Sequence, residues 1–494
     1  MPQRFRESLA LLLIILLPFH AFLVTVVTKM ILGPGHAPMT MVALWKEALL
    51  GVILCLCLFE YIRDRWGNGF DKLTIKRTRA AMDGIDWLIA GLIVLSLIVT
   101  AMTHGDWKLY AFGFKYDFIS LIAFLILRRV TWSDACKSRA MHLLLMVGGI
   151  IAGYGILTFF LPQDFFTALG YSDLHSLYLP DAPLAAFQQI EALGLRRIQS
   201  VMSGPNQLGL WLLIPWSIVC LHPPFGPEGL RASNGLPLLR GRRGVLAGLI
   251  AVAILLTFSR SAWIAAGVIL LVVLWRNVPR KAFKIILMQL LFLGAVFTSM
   301  TAILAPQLIL RQASSGDHLR RPLEAIQMMI AHPLGLGLGS AGPASNRVSD
   351  ACVHLPAGSD ASWAKDRPNL CVFVDDIQIQ PVDRACHCPS LPENWYLQIG
   401  VELGILGMAL YLILIIAVMR WLAASGKRQK DSAYRPFGPE GLRASNGLSL
   451  IALLSFLGIS IAALFLHAWE DAAVAYTVWF LVACNGFSTP RRLF

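Results

Sequence analysis

The chain is dominated by long apolar runs whose connectors alternate between basic-rich and basic-poor. A helix needs about 20 apolar residues to cross roughly 30 Å of hydrocarbon, and about twelve runs reach or approach that length. Backbone amides cannot stay unpaired in lipid, so the runs are expected to be helices. The pattern therefore predicts an all-α polytopic membrane protein.

The connectors predict how the chain is oriented. Roughly two-thirds of the Lys and Arg residues fall on one side of the twelve-helix arrangement, which is the positive-inside bias. Both termini are then cytoplasmic, and the first apolar run is an uncleaved span rather than a signal peptide. Residues 1–304 would hold nine spans and an external connector near residues 162–207. A large, partly helical external loop would follow at residues 305–393, and three more spans at residues 394–494.

Composition supports a membrane protein and argues against a nucleic-acid partner. The chain is 56% hydrophobic and 14% charged, with a mean hydropathy of +0.64, which is unusual for a soluble domain. Its formal net charge is +13. Because the basic residues concentrate in one set of connectors, they indicate orientation and contact with anionic lipid headgroups, not DNA or RNA binding.

Four of the nine cysteines fall in the long loop. On an oxidising face Cys352, Cys371, Cys386 and Cys388 favour up to two disulfides, with three possible pairings. The alternative is a metal site, since His354 and His387 lie among them. The spacings are not those of zinc ligands, so we expect no metal and no cofactor.

The start of the long loop reads "DHLRRPLEAIQMMIAHPLGLGLG". Leu319, Leu323, Ile326 and Ile330 recur at helical spacing, which predicts an amphipathic helix on the membrane surface or on the bundle. The three alternating glycines that follow, from Gly335 to Gly339, are interpreted as a turn rather than a phosphate site.

Charged residues at membrane depth are expensive and indicate functional sites. Arg260 lies in a tight external turn between two apolar runs, "TFSRSAW", although it could simply extend to the interface. Arg197, with Arg196 beside it, precedes another external helix. Lys115 and Asp117 lie near the outer end of the fourth span, where Lys115 could bind substrate or only pair with Asp117. Converging cations of this kind would stabilise a diphosphate leaving group.

Four segments together resemble the bacterial O-antigen ligase and O-antigen polymerase superfamily. They are "RIQSVMSGPNQLG", "TFSRSAW", "LEAIQMMIAHPLGLGLG" and "ENWYLQIGVELGILG", with the large loop between the last two. The resemblance covers the fourth to the tenth span. It implies a GT-C-type membrane glycosyltransferase that uses a polyprenyl-diphosphate donor. It also implies that Arg197 and Arg260 hold the carrier diphosphate.

The family commonly has a His–Asn pair where the helix after the loop begins, and this chain has Glu393–Asn394 there. A carboxylate whose pKa is raised towards neutrality can accept the proton of an acceptor hydroxyl. Glu393 is therefore the expected base, with His387 as the alternative. Glu393 could instead only stabilise the helix start, and Glu402 could be structural. The other residues expected to bind substrate are Arg196, Lys115, Asn394, Arg320, Arg321 and His387.

Together with these residues, the resemblance implies transfer of a glycan from a polyprenyl-diphosphate carrier to an acceptor hydroxyl at the periplasmic face of a bacterial inner membrane. Attachment to lipid A–core in lipopolysaccharide biosynthesis, polymer extension and protein O-glycosylation all fit this chemistry. The alternative class is a transporter or flippase of lipid-linked sugars. Transporters often show two related halves, and the sequence shows none.

Overall fold

The computed structural model describes residues 2–66, 82–103, 105–173, 182–190, 194–221, 238–304, 312–355, 357–375, 377–432 and 441–485. It is mostly helical. The helices of the first half are α1 (Pro2–Leu16), α2 (His20–Leu32), α3 (Thr40–Ala43), α4 (Trp45–Trp66), α5 (Gly84–Met102), α6 (Trp107–Asp117), α7 (Ile119–Leu127), α8 (Asp134–Thr158) and α9 (Gln163–Ala168). Those of the second half are α10 (Pro205–Leu221), α11 (Leu238–Leu256), α12 (Arg260–Asn277), α13 (Arg280–Leu304), α14 (Gln312–Ala331), α15 (Gly342–Ser345), α16 (Trp395–Ser432), α17 (Gly441–Ala462) and α18 (Ala472–Ala483).

The described residues contain six helical segments that are long and apolar enough to cross a membrane. A seventh results if α6 and α7, which meet at a 47° bend, form one span. Four shorter apolar helices lie within α10, α11, α17 and α18. The predicted class, a helical membrane protein with several spans, is confirmed in this outline.

One end of the bundle is held by buried ion pairs. Arg6 of α1 pairs with Glu60 near the end of α4. Arg128, after α7, pairs with Asp83 and Asp86 at the start of α5, at 2.6 and 3.0 Å. Asp83 also caps α5, because its side chain accepts from the Ile85 and Asp86 amides. Since a buried charge is tolerated only when it is paired, these bonds fix the ends of four helices.

Helix α17 is central to the other half of the bundle and packs against α10, α12 and α16. Small residues allow the close approach. A Cβ added at Gly458 would lie 2.7 Å from Cδ1 of Ile269, and one at Gly209 would lie 2.8 Å from Cβ of Ala262. Helices α10, α12 and α16 are therefore positioned by one common neighbour.

The long loop forms a small disulfide-linked unit at the opposite end of the bundle. Its three-stranded sheet has the order β3 (Cys352–Leu355), β4 (Cys371–Val374) and β5 (Ile377–Gln380). Cys352 pairs with Cys388 and Cys371 with Cys386. This confirms the expected disulfides and selects one of the three pairings.

Helix α14 confirms the helix that was predicted from the apolar spacing at the start of the loop. Its apolar stripe faces outward, since Leu323 is 51% and Ile330 is 69% exposed, whereas Ala325 and Met329 are buried. α14 packs against α16 with this second face. The outward stripe has the character of a helix that rests in a membrane surface.

The glycines after α14 form the predicted turn, and that turn enters the bundle. Gly335, Gly337 and Gly339 all have φ near +90°, where only glycine is unstrained. The Gly337 amide bonds the Glu402 carbonyl, which α16 leaves free because the helix breaks at Gly404 (φ 72°, ψ −175°). The loop thus satisfies backbone groups that would otherwise be unpaired inside the bundle.

Candidate functional site

Arg197 lies at the end of the hairpin formed by β1 (Gln188–Ile190) and β2 (Leu195–Arg197), and its side chain is buried. The guanidinium donates Nε–H to the Thr257 carbonyl at 3.0 Å. It also donates to the side-chain oxygens of Gln188 and Asn206, both at 2.9 Å. Arg197 therefore ties the hairpin to the first turn of α10 and to the end of α11.

The Arg197 contact is made to the turn that carries Arg260. Thr257 follows α11, Phe258 adopts a left-handed φ of 50°, and α12 begins at Arg260, which is half-buried. The Thr257 hydroxyl accepts the Ser259 amide, which fixes the turn locally. Arg197 is thus bonded to the α11–α12 turn that carries Arg260, and we call this turn the arginine turn (residues 257–260).

Arg196 is directed differently from Arg197, as expected for neighbours in a strand. Its guanidinium lies 3.9 Å from the centre of the Phe187 ring and donates to the carbonyls of Thr158 and Leu161. These contacts fasten the hairpin to the end of α8.

Glu393 lies just before α16 and pairs with Arg321 of α14 at 2.7 Å. Its φ of +51° is unusual for a residue other than glycine. Asn394 is the N-cap of α16, since its Oδ1 accepts from the amides of Tyr396 and Leu397. Asn394 therefore caps α16, and the Glu393 carboxylate pairs with Arg321 instead of capping the helix.

His467 contacts Glu393 and was missed by the sequence reasoning. The Glu393 amide donates to His467 Nε2 at 3.3 Å, and His467 Nδ1 lies 2.6 Å from Oε1 of Gln398. The only usable signal was the polar stretch "HAWED" between the last two apolar runs. Burial and the nearby Arg321 charge lower the pKa of His467 to about 4, although the Glu393 carboxylate acts to raise it. The imidazole is therefore neutral near pH 7.

A cavity of about 450 Å³ is lined by Pro392, which precedes Glu393, and by Arg321, which pairs with Glu393. It is bounded by Arg320, Arg321 and Glu324 of α14, by Cys352 and His354 of β3, and by residues 388–392. The Cys352–Cys388 disulfide forms part of the wall. A volume of this size with charges of both signs is large enough for a polar small molecule.

Two further predicted residues, Arg320 and His387, lie in the long loop. Arg320 pairs with Glu324 at 3.1 Å at the cavity. His387 is exposed and bonds Asp350 through its backbone.

Lys115 pairs with Glu47 of α4 at 3.1 Å, and Asp117 bonds Gln398 and Glu402 instead. The alternative that Lys115 and Asp117 pair with each other is therefore wrong, because each has a different partner.

The arginine turn and the Glu393 group are supported by the same helix. Helix α12, which begins at Arg260, packs on α17, and the Trp395 amide at the start of α16 bonds the Ala463 carbonyl just after α17.

No family model and no curated protein matches this chain.

Proposed function

We propose that the protein is a membrane glycosyltransferase that moves a glycan from a polyprenyl-diphosphate carrier to an acceptor hydroxyl. The observation that supports this most directly is the bond from Arg197 to the turn that carries Arg260. One guanidinium on this turn and a second bonded to its Thr257 carbonyl suit a lipid-borne diphosphate, because Arg binds phosphate oxygens through its planar fork.

The proposed reaction is an inverting displacement. The acceptor oxygen attacks the anomeric carbon, the bond from that carbon to the diphosphate oxygen breaks, and the hydroxyl proton passes to the Glu393 carboxylate. Arg197 and Arg260 would stabilise the charge that develops on the departing polyprenyl diphosphate. The cavity beside Glu393 would hold sugar residues, and Arg321 would orient the carboxylate.

We also propose that the chain forms about twelve spans in a GT-C-type bundle. The bundle would lie in a bacterial cytoplasmic membrane, with both termini cytoplasmic. Lipid A–core ligation, polymer extension and protein O-glycosylation all remain compatible with the site. The exposed apolar stripe of α14 supports contact between the loop and the outer leaflet.

A transporter of lipid-linked sugars is the second candidate, and one observation favours it. Two broken helices, α6–α7 and α16, meet inside the bundle, as they do around the sites of many transporters.

One experiment with purified protein distinguishes the transferase from the transporter. Purified protein is incubated with a polyprenyl-diphosphate oligosaccharide and candidate acceptors, and released polyprenyl diphosphate is measured. Release that is lost in Arg260→Ala supports the enzyme. Translocation of the intact donor across vesicles, without bond cleavage, supports the transporter.

A further inference from the structure

Two carboxyl groups meet inside the bundle where two helices are broken. Asp117 is the last residue of α6, at the 47° bend before α7. Glu402 lies two residues before Gly404, where α16 loses its helical geometry. The Asp117 residue is 3% exposed and the Glu402 residue 0% exposed. The proposed glycan transfer uses neither of them.

The two side chains contact each other, and one oxygen of each also accepts a hydrogen bond from another group. Asp117 and Glu402 are hydrogen-bonded to each other. Glu402 Oε1 accepts the Gly339 amide at 3.1 Å, and Asp117 Oδ1 accepts from Gln398 Nε2 at 3.4 Å. The remaining oxygens, Oδ2 and Oε2, have no protein donor among the described residues. Two carboxyl oxygens can bond each other only if a proton lies between them.

Among the residues that the structure describes, the groups that face the pair do not supply a neutralising cation. They are the Glu470 carboxyl before α18 and the Tyr411 phenol of α16, along with the amides of Gly339 and Ala341. On the same helix as Asp117, Lys115 is engaged by Glu47. Two ionised carboxylates in contact would repel strongly in this low-dielectric setting.

We propose that Asp117 and Glu402 bind one proton between them and form an intramembrane proton site that holds the two broken helices together. With the proton bound, the pair is a hydrogen bond between α6 and α16. Without it, two like charges separate the helices and displace the Gly339 turn. Gln398 bonds Asp117 and also His467, so occupancy of the site is linked to the position of Glu393.

The proton can be observed directly, without any transferase activity. Purified protein in lipid nanodiscs is studied by infrared spectroscopy near pH 7, in H₂O and in D₂O, for the C=O stretch of protonated carboxyl groups. We expect a band in the wild type that shifts in D₂O and is reduced in both Asp117→Asn and Glu402→Gln. Asp350→Asn is the control, because the Arg384 side chain lowers the pKa of that loop carboxyl and keeps it ionised.

Three results would overturn the proposal. One is a wild-type spectrum with no protonated carboxyl band. Another is a band that persists unchanged in whichever of the two variants folds, since Glu470 would then carry the proton. The third is a band that sodium abolishes at constant pH, since a metal cation would then occupy the site.

Discussion

The backbone amide of Glu393 donates to Nε2 of His467 at 3.3 Å, across 74 positions of sequence. The imidazole comes from the segment between α17 and α18 and contacts the backbone of Glu393. Because Nε2 accepts the Glu393 amide and Nδ1 faces Gln398, His467 positions the candidate base as a neutral ring.

Replacing His467 should change how stability depends on pH. Its pKa falls from 6.5 to about 4 in the folded chain, so the unfolded chain binds the proton more readily. The contribution of neutral His467 to the free energy of unfolding is fully present above about pH 6.5. It decreases as pH falls towards 4, by on the order of 3 kcal/mol in total. Thermal unfolding in detergent near pH 7 and near pH 5 should show a larger loss for wild type than for His467→Gln. Equal losses in both proteins would contradict the buried neutral imidazole.

Substitution of Arg197 should impair transfer more than substitution of its neighbour. Arg197→Lys cannot reach Thr257, Gln188 and Asn206 together, so the arginine turn loses its tie to the hairpin. We expect donor cleavage to fall by about 10²–10³-fold. Arg196→Lys should instead lower the melting temperature, because it loses the stacking on Phe187. A similar loss of cleavage in both variants would argue for a general effect on the hairpin.

Removing the charge of Glu393 tests its role as the base. Glu393→Gln keeps the size of the side chain but not its ability to take a proton, so turnover should fall by about 10²–10⁴-fold. The affinity for the donor should change little. Donor binding and donor cleavage are therefore both measured for the variant and the wild type. Asp360→Asn, at an exposed loop turn, is the control for loss of one loop charge. Near-normal turnover of Glu393→Gln would move the role to His387 or water.

Features that depend on local pattern were predictable from the sequence, whereas contacts between distant segments were not. The apolar spacing predicted α14, the alternating glycines predicted their turn, and the four loop cysteines predicted disulfides. The break at Gly404 is hidden inside a continuous apolar run, since a single glycine does not require a broken helix. The partners of Asp117 and His467 come from chain segments far away in sequence, so no spacing could indicate them.

The glycine turn supplies the sharpest test of the interior packing. A Cβ at Gly335 would lie 2.4 Å from the Glu402 carbonyl oxygen, whereas one at Gly358 would meet open space, although both glycines have positive φ. Gly358→Ala should therefore cost only the conformational penalty, about 1–2 kcal/mol. Gly335→Ala must also displace backbone that bonds the broken part of α16, so its loss of thermal stability should be clearly greater. Equal melting temperatures for the two variants would show that the turn does not lie against Glu402.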